Sequence, residues 1–168
     1  MTLLAQTTGS VAGKGFGLAN NPEFTREGSA VADFREPSRI VIGEIDPQTA
    51  DRLVSIYAGI KSPVFRTAAE TAETVKYADN SWHALKVVFA NEVDAISRFA
   101  GVDGQAVMNI FCADTDLNIS RAYLKPGFAF GGPCLPKDLS VLTAWCRSNN
   151  LDVPVLAHVA ESNEGVIV

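Results

Sequence analysis

The feature that most constrains the fold is a long helical repeat of apolar residues between Thr67 and Gly101. Thr67 and Glu70 form a capping-box pattern at its start, and Gly101 is a typical C-terminal stop. A helix over 68–100 would be about 50 Å long at about 1.5 Å per residue. We therefore expect it to join two domains or to pack against another subunit. The apolar residues of the repeat are Ala72, Val75, Trp82, Leu85, Phe89, Val93 and Ile96.

The residues before this helix have the order strand, helix, strand, which is typical of a parallel α/β sheet. Arg39–Gly43 is an apolar, β-branched strand ended by glycine, and residues 63–66 predict a second one. Asp46-Pro47 is an N-cap followed by proline at the first helical position. A further short strand is expected at residues 16–19. The helix between the strands should carry one apolar side, formed by Leu53, Ile56, Tyr57 and Ile60.

The residues after the long helix predict a mostly helical portion. Asp103 should cap a shorter helix, residues 113–135 should form a loop segment, and helices should resume over 136–148 and 154–165. We therefore divide the chain into an α/β portion at 1–66 and an all-α portion at 67–168. The apolar residues of the shorter helix are Val107, Met108, Ile110 and Phe111.

Composition narrows the class of protein. The chain has 168 residues, enough to bury a core, and its net charge of −5 gives no electrostatic support for nucleic-acid binding. No apolar run approaches membrane-spanning length, and residues 1–13 make a poor signal peptide. Three cysteines cannot all pair, and their spacing suits neither a disulfide framework nor a metal site, so we expect a cytoplasmic protein. Cys112 and Cys146 lie among apolar residues and are expected in the core; His83 and His158 are expected to be structural.

A glycine turn near the end of the chain carries a thiol, in the segment Gly131-Gly132-Pro133-Cys134-Leu135-Pro136-Lys137-Asp138. Pro136 suits the first turn of a helix. Cys134 would then lie at a helix N-terminus, where the partial positive charge favours a thiolate, and Lys137 acts in the same direction. The alternative is a glycine-rich loop with an inert thiol. Asp138 has its own structural explanation, because acidic residues are favoured in a first helical turn.

Two other places in the sequence carry polar residues that could take part in catalysis. Lys76 and Asn80 are four residues apart and share one helix face, so a cation and an amide could hold an oxyanion together. Solvent-exposed residues on an amphipathic helix are the alternative. Glu23 follows Asn21-Pro22 in a loop, where it is either a general base or a surface carboxylate.

Four ordered segments resemble the nucleotide-sugar 6-dehydrogenases, the family of UDP-glucose and GDP-mannose dehydrogenases. The resemblance covers nearly the whole chain and implies the tail of a Rossmann-type domain followed by a central, all-α dimerisation domain with one long helix. The segments are Asn21-Pro22-Glu23-Phe24 with Glu27-Gly28, Glu73-Thr74-Val75-Lys76-Tyr77 with Asn80, Asn118-Ile119-Ser120-Arg121, and Phe128 to Asp138.

The resemblance also implies a reaction. The family uses two NAD to oxidise a primary alcohol to the acid, and a cysteine holds the aldehyde and then the thioester. Cys134 matches that nucleophile, Lys76 and Asn80 the oxyanion-holding pair, Asp138 a water-positioning acid, and Glu23 the base for hydrolysis. Lys137 is a further, weaker candidate for a ligand or cofactor contact. The residues that match the family's nucleotide-sugar pocket are Phe24, Thr25, Glu27, Tyr123, Lys125, Phe128 and Gly131.

Two departures from the family pattern affect this interpretation. Pro133 stands where the family has serine, which removes a backbone donor and restricts Gly132. Ala122 replaces an aromatic residue expected in the GDP-mannose branch. The segments around Ser120-Arg121 and 126–130 still resemble that branch more than the UDP-glucose branch.

The cofactor motif of the family is not found. Gly13, Gly15 and Gly17 lack the third spacing of Gly-x-Gly-x-x-Gly, with Leu18 at the position of the last glycine. We therefore expect the isolated chain not to turn over, although NAD is the family's cofactor. The alternatives are a UDP-glucose 6-dehydrogenase fragment, a noncatalytic dimerisation module, or a truncated product that folds poorly. A homodimer or higher homo-oligomer is expected to form through the long helix.

Overall fold

The computed structural model describes residues 2–166, and the chain divides into two compact units, Met1–Trp82 and His83–Val168. Helix α4 contains the division between them. In chain order the elements are α1 (Thr2–Thr8), β1 (Ala19–Asn20), α2 (Ala30–Arg35), β2 (Ile40–Glu44), α3 (Pro47–Ile56), β3 (Val64–Ala68), α4 (Ala69–Phe99), α5 (Gly104–Ala113), α6 (Cys134–Ser148) and α7 (Pro154–Glu164).

The first unit contains a three-stranded sheet in the order β1-β2-β3. β2 pairs with β3 in parallel, with Ile40 opposite Val64, which confirms the predicted strand–helix–strand arrangement. β1 pairs antiparallel with β2 over Ala19 and Asn20, so the strand predicted at 16–19 begins later than expected. Phe16 instead makes an isolated bridge with Ala12. Helices α1 and α2 were not predicted.

Helix α3 covers one face of β2. The Asp46 carboxylate accepts a hydrogen bond of 2.8 Å from the backbone N–H of Thr49, which confirms the predicted N-cap. Ile40, Ile42 and Ala50 form the buried core there, and Leu53, Val54, Tyr57 and Ile60 pack against it. Ile56 was wrongly included in this face and is 69% exposed. The stripe formed by Ala50, Leu53, Val54 and Tyr57 leaves Ile56 outside it.

Helix α4 follows β3 directly. The predicted capping box is wrong, because Thr67 is a strand residue paired with Gly43, and the helix begins two residues later. A Cβ on Gly43 would lie 2.7 Å from the Ala69 Cα, so glycine allows this close approach of helix and strand. The predicted stop at Gly101 is confirmed. Gly101 has φ +71, and bonds from Val102 N to Ser97 O and from Gly101 N to Arg98 O close a Schellman motif.

The second unit is helical. Its core contains Cys146, Val153 and Leu156, with Phe89 and Ile96 of α4 among the residues packed around it. Asp103 caps α5 as predicted, accepting from Gln105 N at 2.9 Å. Helix α6 begins two residues before its predicted start.

The cysteines outside the glycine turn differ in burial. Cys146 is buried as predicted, and burial raises the pKa of its thiol. Cys112 is exposed, which corrects the prediction of a core thiol. The ring of the neighbouring Phe111 packs against Phe89 of α4, with 5.6 Å between the ring centroids. Because adjacent helical residues point in different directions, Cys112 then faces solvent.

Candidate functional site

The loop that carries Glu23 is anchored to the sheet of the first unit. The Asn21 side-chain amide donates to the Val41 carbonyl at 2.8 Å, and the Tyr57 hydroxyl donates to the Asn21 side-chain oxygen. The side chain of Asn21 therefore fixes the loop to the Val41 carbonyl of β2 and to Tyr57 at the end of α3. Tyr57 was predicted only as a core residue.

Two predicted site residues, Glu23 and Lys76, contact each other directly. Lys76 Nζ donates to Glu23 Oε1 at 2.8 Å and to the Glu23 carbonyl at 2.6 Å. The other carboxylate oxygen accepts from the Thr25 backbone N–H at 2.7 Å and from the Thr25 hydroxyl. These bonds, that of Lys76 first, lower the pKa of Glu23 to about 2, so the carboxylate is ionised over the physiological range.

The Phe24 ring lies close to two cations. The Arg39 guanidinium carbon lies 4.1 Å from the ring centroid and Lys76 Nζ lies 5.6 Å from it. Arg39 also forms an ion pair of 2.6 Å with Asp79 of α4. Sequence reasoning missed both Arg39 and Asp79. A usable signal was the position of Asp79, which is three residues after Lys76 on the same helix face.

The Glu23 loop borders a cavity of about 330 Å³ in the first unit. Glu23, Phe24 and Thr25 line it together with Arg39 and Tyr57. Arg26 and Asp33 close part of the wall with an ion pair of 2.7 Å, which holds the pKa of Asp33 well below its usual range. Glu27 is exposed and does not line this cavity. Asn80 is exposed one turn after Lys76.

The glycine turn of the second unit places Cys134 at the first residue of α6, whereas the sequence predicted a position just before the helix N-terminus. Gly132 has φ +79, a conformation that favours glycine, and Pro133 occupies the N-cap position. The Cys134 side chain is exposed. Asp138 lies one turn further along, and its carboxylate pairs with Lys137 at 3.3 Å, where both side chains face solvent. A thiol and a carboxylate therefore share the first turns of one helix.

The segment before the turn is exposed and largely without regular structure. Tyr123 and Phe128 are 84% and 83% exposed, and Lys125 and Gly131 are exposed as well. Tyr123 has φ 61, which is uncommon for a bulky residue and is found more often at functional positions. Phe130 is the anchored residue, because the Asn163 side chain bonds both its N–H and its carbonyl. Asn163 was not identified from the sequence.

Comparison with known proteins identifies the family. Residues 70–165 match the central domain of the UDP-glucose/GDP-mannose dehydrogenase family, and residues 1–61 match its NAD binding domain. The chain belongs to the UDP-glucose/GDP-mannose dehydrogenase family. The resemblance stated from four sequence segments is thereby confirmed. NAD is the cofactor that this membership implies, and the matches agree with an NAD-domain tail followed by a helical central domain.

Within the family, sequence identity to a GDP-mannose dehydrogenase is higher than to a UDP-glucose dehydrogenase. A GDP-mannose 6-dehydrogenase of Pseudomonas aeruginosa is 47% identical over 98% of this chain and 38% of that protein. A UDP-glucose 6-dehydrogenase of Haloferax volcanii is 34% identical over 96% of the chain and 38% of that protein. The crystal structure of a ternary complex of GDP-mannose dehydrogenase from Pseudomonas aeruginosa gives a TM-score of 0.96 at 45% identity, covering 99% of this chain and 38% of that one. The chain thus spans well under half the length of these relatives.

The residues that the structure describes, 2–166, do not form a cradle for the NAD pyrophosphate. Gly13, Gly15 and Gly17 lead into β1 rather than into a helix N-terminus, which is where a dinucleotide-binding turn places its phosphates. A Cβ on Gly15 would lie 2.3 Å from the Ser10 Cβ, and one on Gly17 would lie 2.1 Å from the Thr49 hydroxyl. These two glycines therefore serve packing within the chain.

Two kinds of feature are absent from residues 2–166, the part of the chain that the structure describes. None of the helices in that range combines the length and apolar character that crossing a membrane requires. The same residues contain no cluster of three or more His, Cys, Asp or Glu side chains suited to a metal ion.

Proposed function

We propose that this chain is the catalytic-cysteine segment of a GDP-mannose 6-dehydrogenase, which oxidises the sugar's primary alcohol to the acid through a cysteine thioester. The observation that carries the proposal is the exposed Cys134 at the first residue of α6, directly after the positive-φ Gly132. GDP-mannose is favoured over UDP-glucose by the 47% identity to a GDP-mannose enzyme, against 34% and 37% for two UDP-glucose enzymes.

The first step assigned to these residues is capture of the aldehyde. The Cys134 thiolate adds to the carbonyl carbon, a C–S bond forms, and the carbonyl oxygen takes a proton to give a thiohemiacetal. Lys76 and Asn80 are assigned to hold the developing oxyanion, because a cation and an amide one helical turn apart stabilise that charge. Asp138 is assigned to position water.

The second step assigned to these residues is hydrolysis of the thioester, the species that the thiohemiacetal would become by losing a hydride to bound NAD and a proton to solvent. Water adds to the acyl carbon, Glu23 accepts its proton, and the C–S bond breaks to return Cys134 as the thiolate. A carboxylate with a pKa of about 2 is a weak base. We therefore infer that the bond from Lys76 to Glu23 opens during the cycle, which frees the carboxylate to act and the ammonium to stabilise the oxyanion.

The remaining site residues are assigned to binding. Phe24, Thr25 and Glu27 are placed on the sugar side, and Lys125 is placed at a phosphate, with Tyr123, Phe128 and Gly131 around the nucleotide sugar. Lys137 has a weaker assignment to a ligand or cofactor contact. NAD supplies the hydride acceptor in the whole enzyme. Gly15 and Gly17 pack closely against Ser10 and Thr49 and do not form a dinucleotide-binding turn. We therefore expect the 168-residue polypeptide alone to form no NADH.

We further propose that the protein is cytoplasmic and that its domain boundary lies at residues 66/67. We also propose that it forms a homo-oligomer through α4. Leu85, Val87 and Val88 of α4 are 43%, 59% and 39% exposed, and apolar residues grouped in this way favour a subunit contact. The mass of the chain in solution tests the proposed homo-oligomer, and a monomer at micromolar concentration would contradict it. A dimer whose residues also fail to support turnover when they are grafted into a whole dehydrogenase would instead favour a noncatalytic dimerisation module.

A graft tests the proposed reaction. Residues 1–168 replace the matching segment of the Pseudomonas aeruginosa enzyme, and NADH formation is followed with GDP-mannose and with UDP-glucose. We expect turnover with GDP-mannose, its loss in Cys134→Ser, and its retention in the matched control Cys112→Ser. Preference for UDP-glucose would support the alternative substrate. Undiminished turnover in Cys134→Ser would overturn the proposed nucleophile.

A further inference from the structure

The side chain of Asn163 in α7 is bonded to the backbone of the segment that leads into Cys134. Its Oδ1 accepts from the Phe130 N–H at 2.7 Å, and its Nδ2 donates to the Phe130 carbonyl at 2.9 Å. The pair fixes the orientation of the amide, because the reversed group would face donor with donor and acceptor with acceptor. One side chain thus satisfies both polar groups of a residue 33 positions away.

These bonds stand alone in their segment. Among residues 125–131, within the described part of the chain, the hydrogen bonds found are the two to Asn163. Gly131 follows directly and adds backbone freedom, Gly132 takes up a positive φ before Pro133 at the N-cap, and Cys134 then begins α6. The partly buried Phe130 backbone is therefore the last fixed point before the thiol.

We propose that Asn163 is a positioning residue for Cys134, an inference that rests on the proposed function of this thiol. By holding Phe130, it limits the paths that the two glycines can take and so keeps the first turn of α6 formed. The exposed N–H groups of that turn attract anions, which includes a developing thiolate and a negatively charged reagent. Asn163 acts through the backbone and does not touch the substrate.

The test uses the 168-residue chain with Cys112→Ser, so that Cys134 is its exposed thiol. Amide exchange at Phe130 is measured together with the rates of Cys134 alkylation by anionic iodoacetate and by neutral iodoacetamide. In Asn163→Ala we expect Phe130 exchange to accelerate about tenfold, as for loss of a hydrogen bond. We also expect the iodoacetate-to-iodoacetamide rate ratio to fall. The exposed neighbour substitution Ser162→Ala should change neither quantity.

An aspartate substitution separates positioning from general stability. In Asn163→Asp the ionised carboxylate still accepts from the Phe130 N–H but cannot donate to the Phe130 carbonyl, so at pH 7 we expect only part of the Phe130 protection to be lost, less than in Asn163→Ala. The protonated carboxyl can both donate and accept, so the bond to the Phe130 carbonyl should form again below about pH 4, the usual range for this group, and the Phe130 protection factor should return to its value in the parent chain. Ser162→Asp adds the same charge to α7 and should show no such pH dependence.

The outcomes are decisive in both directions. An unchanged reagent ratio in Asn163→Ala, or the same loss in Ser162→Ala, would overturn the proposal. Failure of the proposed function is seen separately, as turnover that survives Cys134→Ser in the graft. The amide-exchange and alkylation measurements do not depend on that result.

Discussion

At the scale of single residues, the Glu23–Lys76 pair is the best-defined part of the site. The Glu23 carboxylate accepts bonds from Lys76 and Thr25, and the pKa of about 2 lies below its ordinary value of 4.5. Because the folded-state pKa is lowered, the stabilisation is fully present above the ordinary pKa and is lost as the pH falls toward 2. Glu23 and Lys76 were both predicted as site residues, but their direct contact was not, because 53 residues separate them.

Removal of the lysine should show this coupling. In Lys76→Met we expect the pKa of Glu23 to rise toward 4.5, since the largest cause of its shift is lost while the Thr25 bonds remain. The side-chain carboxyl carbon of Glu23 reports this in an NMR titration. Lys61→Met, which removes an exposed lysine of the same unit, is the matched control. A Glu23 pKa that stays near 2 in Lys76→Met would show that the pair is not what lowers it.

Two adjacent glycines provide a test of the turn. Gly132 has φ +79 and Gly131 does not share this conformation, while a Cβ on either would meet no atom within 4 Å. Gly132→Ala should therefore destabilise the second unit by about 1 kcal/mol through backbone strain alone. Gly131→Ala should leave stability nearly unchanged. Urea unfolding compares the two variants, and equal midpoints would contradict the positive φ at Gly132.

At the scale of elements, local signals were sufficient wherever one segment determined its own ends. The Asp46 and Asp103 caps, the Gly101 stop and the buried β2 were predictable, because the residues concerned are neighbours in the chain. Long-range packing decided the rest. Pairing with β2 drew Thr67 into β3, and the rotation of α5 exposed Cys112. The bonds of Asn163 and the cation contacts of Phe24 likewise join distant segments.

Helix α7 has a long-range cap of this kind. The Glu92 carboxylate of α4 is 6% exposed and accepts from the Val155 and Leu156 backbone N–H groups at 2.8 and 3.0 Å. We expect Glu92→Ala to destabilise the second unit by about 2 kcal/mol, because two donors lose their acceptor. Unfolding in urea, followed by Trp145 fluorescence in a Trp82→Phe background, measures this. The exposed Glu164→Ala is the control, and an equal effect of the two substitutions would contradict the capping role.

At the scale of the whole molecule, the residues with proposed roles are distributed over the two units. The first unit holds the Glu23–Lys76 pair and the aromatic wall of the cavity, and the second holds the thiol with its glycine turn. The family could be predicted from four short segments, since their residue types and order are specific. The packing role of Gly15 and Gly17 required coordinates, because it depends on Ser10 and Thr49 as neighbours.

The central claim is that Cys134 carries the sugar as a thioester. The most direct test is peptide mass spectrometry of the graft with Glu23→Gln, in which hydrolysis is slowed, after incubation with GDP-mannose and NAD. We predict an added mass equal to the GDP-mannuronyl group on the peptide that contains Cys134, and none on the peptide that contains Cys112. Turnover of the graft without any adduct on Cys134, or an adduct that persists in Cys134→Ser, would contradict the claim.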